Sequence, residues 1–474
     1  MNNASSEVFD YIIVGAGSAG ALLASRLARQ EGIRICLLEA GPSDNRLSVQ
    51  IPAGFMKAIF DPEITWGFNT EPNRYINNRS IPAIQGKVVG GSGSINGMVY
   101  VRGQRQDYDH WAALGNIDWS YDEVLPYFKR TESLLTEGDS ALRGRHGKMP
   151  VTHLTWKNRL VDAFVDTCVG NGTQFNKDYN GLSQEGTSFY QYNIGKGLRR
   201  GSAQAYLKPA LKTGAIDLRR KSVVTKIIFD GENRVSAVRY TSDQGSTIST
   251  ISARREVILC CGAINTPRLM QISGIGDPDH LEKINVPVVK PLPGVGANLK
   301  DHYTSRFTAQ VKGAVSINDI ANGPRALMEG AKWLIKKPSI VGMGVVLGAS
   351  FCKSDPLIAT SDMVITFTPG SFKEGFLGRL DDVSGMTIGA WQLRPHSMGY
   401  VKATSKNIFD PPTVQPNYFQ DERDRKVCVS GLKMIRQLLN THPLCDYVEQ
   451  ELTPGSSVQS DSDFLEYARN QGLA

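Results

Sequence analysis

Three stretches of the chain carry residue types at spacings that could do chemistry. The first is Gly15-Ala16-Gly17-Ser18-Ala19-Gly20, which follows the apolar run Phe9 to Val14 and opens a helical stretch reaching about Gln30. In a G-x-G-x-x-G turn, Gly15 permits the tight bend, Gly17 lets backbone approach a pyrophosphate, and Gly20 lets helix and strand pack closely. The orphan N–H groups near Ser18 and Ala19 would then face negative charge. Ile33 to Leu38 supplies a second strand, with Glu39 and Ala40 at its end and Glu39 falling 24 residues after Gly15. A carboxylate there can accept both hydroxyl protons of a ribose, so the region predicts a dinucleotide-binding βαβ unit.

The second stretch is Gly90-Gly91-Ser92-Gly93-Ser94-Ile95-Asn96-Gly97-Met98-Val99-Tyr100. Glycine at this density weakens both helix and strand. The run predicts a loop whose backbone N–H groups converge on an anion or a ring, continuing as a helix or extended segment from Ile95 to Val101. The third stretch is the buried strand Val257 to Cys260, which runs into Cys261-Gly262-Ala263-Ile264-Asn265-Thr266-Pro267. Small residues followed by a proline at a helix start again expose N–H groups at the C-terminal edge of a sheet. Its distance from the first turn implies a cofactor domain assembled from discontinuous pieces. Asp301-His302 invites a catalytic dyad, but neighbouring residues point apart on most backbones, so a structural histidine is expected.

The elements that must position these stretches are partly visible. Ser120 and Glu123 suggest a capping box opening a helix, and Leu160, Val161, Phe164, Val165 and Cys168 form one face of another. Between them, Arg143, Arg145, His146 and Lys148 read as a solvated loop. Trp66, Phe68, Trp111 and Trp119 read as core, with one of them available to wall a ring. Ser202 should cap a short helix that Pro209 stops or kinks. Val223 to Phe229 and Val235 to Tyr240 should form a hairpin. Met363 to Phe367, Met386 to Leu393 and Tyr400 to Ala403 read as strands of a second, mostly antiparallel sheet, and Val341 to Ala349 as an apolar wall. Helices are expected over Asp421 to Asn440 and Asp461 to Asn470.

Composition narrows the partners. A net charge of +7 over 474 residues comes without a sustained basic patch, which argues against nucleic acid. It suits an anionic cofactor, or a loose contact with acidic lipid. None of the seven cysteines is spaced C-x-x-C, and they read as reduced core thiols of a cytoplasmic protein. The first strand begins too soon after Met1 to leave room for a signal peptide, and no apolar run is long enough to span a bilayer.

With these motifs in view, the chain resembles the glucose-methanol-choline (GMC) family of flavin-dependent oxidoreductases, in the branch of choline and aliphatic alcohol dehydrogenases. Besides Gly15 to Gly20 and Glu39, the resemblance rests on Gly86-Lys87 through Asn96 to Tyr100, Gly103 and Asp109. It rests also on Gly262 to Gly276, and on Pro293-Gly294-Val295-Gly296 with Asn298, Asp301 and His302. It implies an α/β (α+β overall) fold, with a Rossmann-like FAD-binding domain from residues 1–150 and 201–305 and a substrate domain from 151–200 and 306–474.

By the same resemblance Gly15, Gly17 and Gly20 hold the pyrophosphate of FAD, Glu39 the ribose, and Val224 the adenine side. Gly91 to Met98 hold the isoalloxazine and its linker, with Gly90, Ser94, Asn96, Gly97, Val99, Cys261 and Gly262 among the contacts. Ile95 stands where some relatives carry a flavin-linking histidine, which implies non-covalent FAD. The implied reaction is hydride transfer from an alcohol CH–OH carbon to flavin N5, with oxygen, a quinone or another carrier as final acceptor and a dehydrogenase favoured. A nicotinamide enzyme would leave the Gly90 to Asn96 loop without a role.

The departures shape further expectations. No histidine matches the family's H-P-x-G-T stretch, so the chain is expected to lack a C-terminal catalytic segment and its base. A non-catalytic, vestigial flavin-binding protein is therefore the alternative reading. Gln85 and Met398 stand where relatives carry arginine. Apolar residues over Met343 to Leu347 favour an uncharged alcohol over choline, because a quaternary ammonium wants a carboxylate or an aromatic cage.

Overall fold

The computed structural model describes residues 7–153, 155–373 and 378–474. Two six-stranded sheets organise it. The first runs in the order Ile216–Arg219, Ile35–Leu38, Glu7–Val14, Ser249–Leu259, Val235–Thr241, Val223–Phe229. Its first four strands are parallel, and the last two form the expected antiparallel hairpin at one edge. Parallel strands need cover on both faces. One face is filled by Phe9, Ile12, Val14, Val238 and Leu269, the other by Ile13, Ala21, Ala24, Leu37 and Leu207. Period-two alternation along Ile12, Ile13 and Val14 thus feeds two separate cores.

The second sheet is antiparallel throughout, in the order Val448–Thr453, Ser305–Val311, Gly385–Gln392, Met363–Thr368, Gly348–Cys352, Gly186–Phe189. Helices Arg159–Gly170 and Glu422–Leu439 cover it, and Phe164 stacks on Phe367 with ring centroids 4.9 Å apart. The strand expected at Tyr400 to Ala403 forms as Gly399–Lys402 but pairs elsewhere, between Ala297–Leu299 and Thr413–Gln415. Val401 and Val414 there pack with Ile264 and Phe68.

Three local expectations are corrected. Arg143 is not on a solvated face but is 1% exposed. Its Nε donates to Glu132 Oε1 at 2.8 Å, and Arg102 Nη2 donates to Glu132 Oε2 at 2.9 Å. The buried carboxylate supplies what a buried guanidinium needs. Trp111 and Trp119 are not core: they are half exposed, in an edge-on pair 5.8 Å apart. Ser120 and Ser202 both precede helical segments without a side-chain cap bond, and a single π turn, Ala203–Leu207, leads to Pro209 in the first turn of Lys208–Leu211. At the other end of the chain, Ser460 does cap helix Asp461–Gln471, with Asp463 closing a capping box.

Candidate cofactor site

Glu7–Val14 and Ser249–Leu259 lie side by side with Val14 opposite Leu259, and Cys260 N–H donates to Val14 O at 2.7 Å. Both strands therefore end at one level of the sheet. Helix Ser18–Leu27 leaves the first and helix Gly262–Ile272 the second. Their N-termini border a common cleft of about 500 Å³, where unpaired N–H groups and the positive ends of two helix dipoles favour an anion.

Backbone approach in this cleft requires glycine. Gly15 has φ +101°, its N–H donates to Leu38 O at 2.8 Å, and an added Cβ would lie 2.4 Å from Cys260 O. Gly91 has φ +58°, and its Cβ would lie 2.9 Å from Gly17 Cα. Gly90 N–H donates to Ala16 O at 2.7 Å. The two glycine runs, distant in sequence, are thus in direct contact at the cleft wall.

Glu39 is buried, with Oε2 accepting from Ala16 N–H at 2.9 Å and Oε1 from Gly41 N–H at 2.8 Å. Burial pushes its carboxyl up to about 7, opposed by the two backbone donors. Each oxygen keeps a further lone pair, so two hydroxyls of a ribose can still be received.

The cleft wall includes Gly15, Gly17, Ser18, Ala19, Glu39, Ala40, Gly91, Val224, Cys261 and Gly262, ten of the positions expected from sequence. Gly20 lies behind it, where a Cβ would fall 2.0 Å from Gly15 O, as its packing role requires. Gly90, Ser94, Asn96, Gly97, Met98 and Val99, also expected at the cofactor, do not line this cleft. Gly97 apart, these residues make local contacts. Ser94 Oγ donates to Val89 O at 2.8 Å, Met98 is fully buried at φ +62°, and Val99 bridges to Tyr192. Asn96 is held by Arg199.

Arg199 was not anticipated. It is 1% exposed and forms no ion pair with a carboxylate among the described residues. Its Nη1 donates to Asn96 Oδ1 at 2.7 Å and Gly93 O at 3.2 Å, its Nη2 to Asn96 O at 2.7 Å, and its Nε to Val49 O at 2.8 Å. Burial pulls its pKa down to about 10. The guanidinium satisfies carbonyls that a glycine loop cannot pair within itself.

The far end of the cleft is formed by Trp66, Gln85, Gly86 and Ser92. Ser92 Oγ accepts from Gly86 N–H at 3.0 Å and donates to Gln85 Oε1 at 3.3 Å. Trp66 is the ring wall that the sequence left open among four aromatics. Cys261 donates its thiol to Val14 O at 3.4 Å, and burial pushes its pKa up to about 12, so it stays a thiol. No histidine lines the cleft. Asp301 and His302 form no dyad: Asp301 Oδ2 accepts from Tyr418 at 2.7 Å, while His302 Nε2 lies 3.3 Å from Leu393 O.

Comparison with known proteins agrees with this geometry. Residues 9–304 match the N-terminal family model of the GMC oxidoreductases, and residues 395–473 match the C-terminal one. The expectation that the chain lacks the C-terminal segment is thereby corrected: strands Gly399–Lys402 and Thr413–Gln415 and the last two long helices fall within that family domain. The chain is 32% identical over 466 residues to an alcohol dehydrogenase [acceptor] of Pseudomonas putida, covering 98% of this chain and 84% of the relative. It is 33% identical over 473 residues to the mitochondrial choline dehydrogenase of Homo sapiens, covering 98% and 79%. Among solved structures it is similar to pyridoxine 4-oxidase from Mesorbium loti, with TM-score 0.86, 24% identity and coverage of 98% and 87%. For the formate oxidase of Aspergillus oryzae the values are 0.89, 21%, 99% and 87%. The chain belongs to the GMC oxidoreductase family, whose members are FAD-dependent alcohol and choline dehydrogenases and oxidases.

Proposed function

We propose that the chain oxidises an uncharged primary alcohol to the aldehyde with non-covalent FAD, passing the electrons to a quinone or another carrier. The observation that carries this reading is the contact of Gly17 with Gly91 at a cleft that also holds Glu39. The residues fit the group. Two helix N-termini and the side-chain-free backbone at Gly15 and Gly17 would receive the pyrophosphate. Glu39 would take the ribose hydroxyls, Val224 would pack on the adenine side, and Trp66 with Gly91 and Ser92 would border the far end. FAD, when bound, supplies the hydride acceptor.

This chain's own residues orient and exclude water. Arg199 fixes the turn Gly93 to Asn96, and the segment Met343 to Leu347 closes over Gly97, since a Cβ at Gly344 would lie 3.2 Å from Gly97 O. That segment brings no charge to the site, which is why an uncharged alcohol is favoured over choline. Ile95, buried and without a nucleophilic atom, supports non-covalent attachment. The two sheets support a division of labour, with residues 1–150 and 201–305 serving the cofactor and 151–200 and 306–474 the substrate.

Anaerobic mixing of the FAD-loaded chain with straight-chain primary alcohols tests the reading. Loss of the oxidised flavin absorbance, faster with these than with choline, is expected. Retained FAD that no alcohol bleaches would instead establish a flavin-binding protein without this activity.

A further inference from the structure

Helix Gly323–Leu334 presents an exposed apolar face on which none of the described residues packs. Leu327 is 78% exposed, Met328 57%, Leu334 72% and Ile335, in the turn that continues the helix, 65%. With Pro324 and Ala331, also exposed, these positions follow the i, i+3, i+4, i+7 rule and fall within an arc of about 120°. The opposite face is fixed to the protein. Trp333 Nε1 donates to Gly197 O at 2.8 Å, Ser339 Oγ donates to Glu329 O at 2.8 Å, and the Glu329 carboxylate accepts from Ile340 N–H at 3.1 Å. These contacts hold the helix in one orientation, so the apolar face cannot fold back onto the core.

Charge decides what covers it. Residues 323–337 carry Arg325, Lys332, Lys336 and Lys337 against one carboxylate, Glu329, and that carboxylate is buried and held by Lys332 Nζ at 2.5 Å. On the helical wheel Arg325 and Lys332 fall along one flank of the apolar arc, and Lys336 and Lys337 follow directly on the helix's end. A second copy meeting the same face would bring like charges together, whereas an acidic lipid surface complements them. At about 18 Å the helix is too short to span a bilayer, and no helix among the described residues is long and apolar enough to do so.

We propose that helix Gly323–Leu334 is an interfacial anchor, lying in the headgroup region of a bilayer containing acidic phospholipid with Leu327, Met328, Leu334 and Ile335 directed into it. It turns the loose lipid contact that net charge alone allows into a defined surface. The same turn that holds Trp333 through Gly197 carries Arg199, which grips Gly93 and Asn96. A quinone dissolved in the bilayer would thus meet the molecule beside the glycine loop, a corollary that alone rests on the proposed function.

The test is flotation of the full chain with vesicles of phosphatidylcholine alone or mixed with phosphatidylglycerol, which needs no bound flavin and so stands or falls separately from the activity. Binding to the mixed vesicles is expected, weakened by salt. The double variant Leu327→Glu/Leu334→Glu should lose about tenfold or more in partitioning. Lys336→Gln and Lys337→Gln should each lose about fivefold. These side chains are exposed, so unchanged thermal melting verifies that the variants fold. Binding to neither vesicle, or binding indifferent to the leucine substitutions, would overturn the proposal. So would a dimer, seen by light scattering, that Leu327→Glu dissociates.

Discussion

Glu39 is the residue on which burial and chemistry meet most directly. Its carboxyl is raised from an ordinary 4.5 to about 7 in the fold. Below the ordinary value both folded and unfolded chains hold the proton, and the group has no effect on stability. As pH rises from there to about 7, the unfolded chain releases its proton first, so the flavin-free fold loses roughly 3 kcal/mol from this group. Urea denaturation of the flavin-free protein at each end of that window should show the decline, and Glu39→Gln should flatten it. Gly91→Ala is predicted to act differently: φ +58° and a 2.9 Å approach to Gly17 Cα leave no room for a Cβ. It should cost about 1–3 kcal/mol by thermal melting and lower FAD affinity at least tenfold in a fluorescence titration, because Gly17 must shift to relieve it. That Glu39 and the glycines meet at one cleft was legible in sequence because backbone turns and one carboxylate at a fixed offset are local signals. Arg199 was not, because what it grips, Asn96, lies 103 positions away, and nothing in either local pattern announces the pairing.

At the scale of elements, the strand-turn-helix units and the hairpin at Val223–Phe229 were readable from period and punctuation, since those signals are local. The placement of Gly399–Lys402 in a sheet of its own was not, because strand partners are chosen by tertiary packing rather than by propensity. Nor was the segment around Arg143, whose cluster of cations looks solvated until Glu132 and Asp178 arrive from elsewhere in the chain. That burial makes a prediction about the element rather than the site. Glu132→Gln leaves Arg102 and Arg143 buried with one carboxylate fewer, and should destabilise the fold by about 3–5 kcal/mol in urea denaturation. Arg199→Met should release the turn Gly93 to Asn96, leaving buried carbonyls without donors at a cost of about 2–4 kcal/mol. FAD affinity should fall in parallel, whereas Glu132→Gln, at a residue that does not line the cleft, should leave it unchanged in the fraction that folds.

On the scale of the whole molecule, one sheet ends two strands at the same level and so sets two helix N-termini over one cleft, while the antiparallel sheet and its helices carry the apolar segment Met343 to Leu347 toward the glycine loop. The discontinuity of the first sheet was legible because the strand-glycine-helix signature recurs. What joins the halves was not, since the contact of Gly17 with Gly91 exists only in three dimensions. That contact is the centre of the account, and the flavin stoichiometry of the chain after incubation with excess FAD and gel filtration tests it most directly. The account predicts one FAD per chain, released entirely into the supernatant when the protein is precipitated with acid. A chain that emerges without flavin would contradict it, and flavin that stays with the precipitate would contradict non-covalent binding.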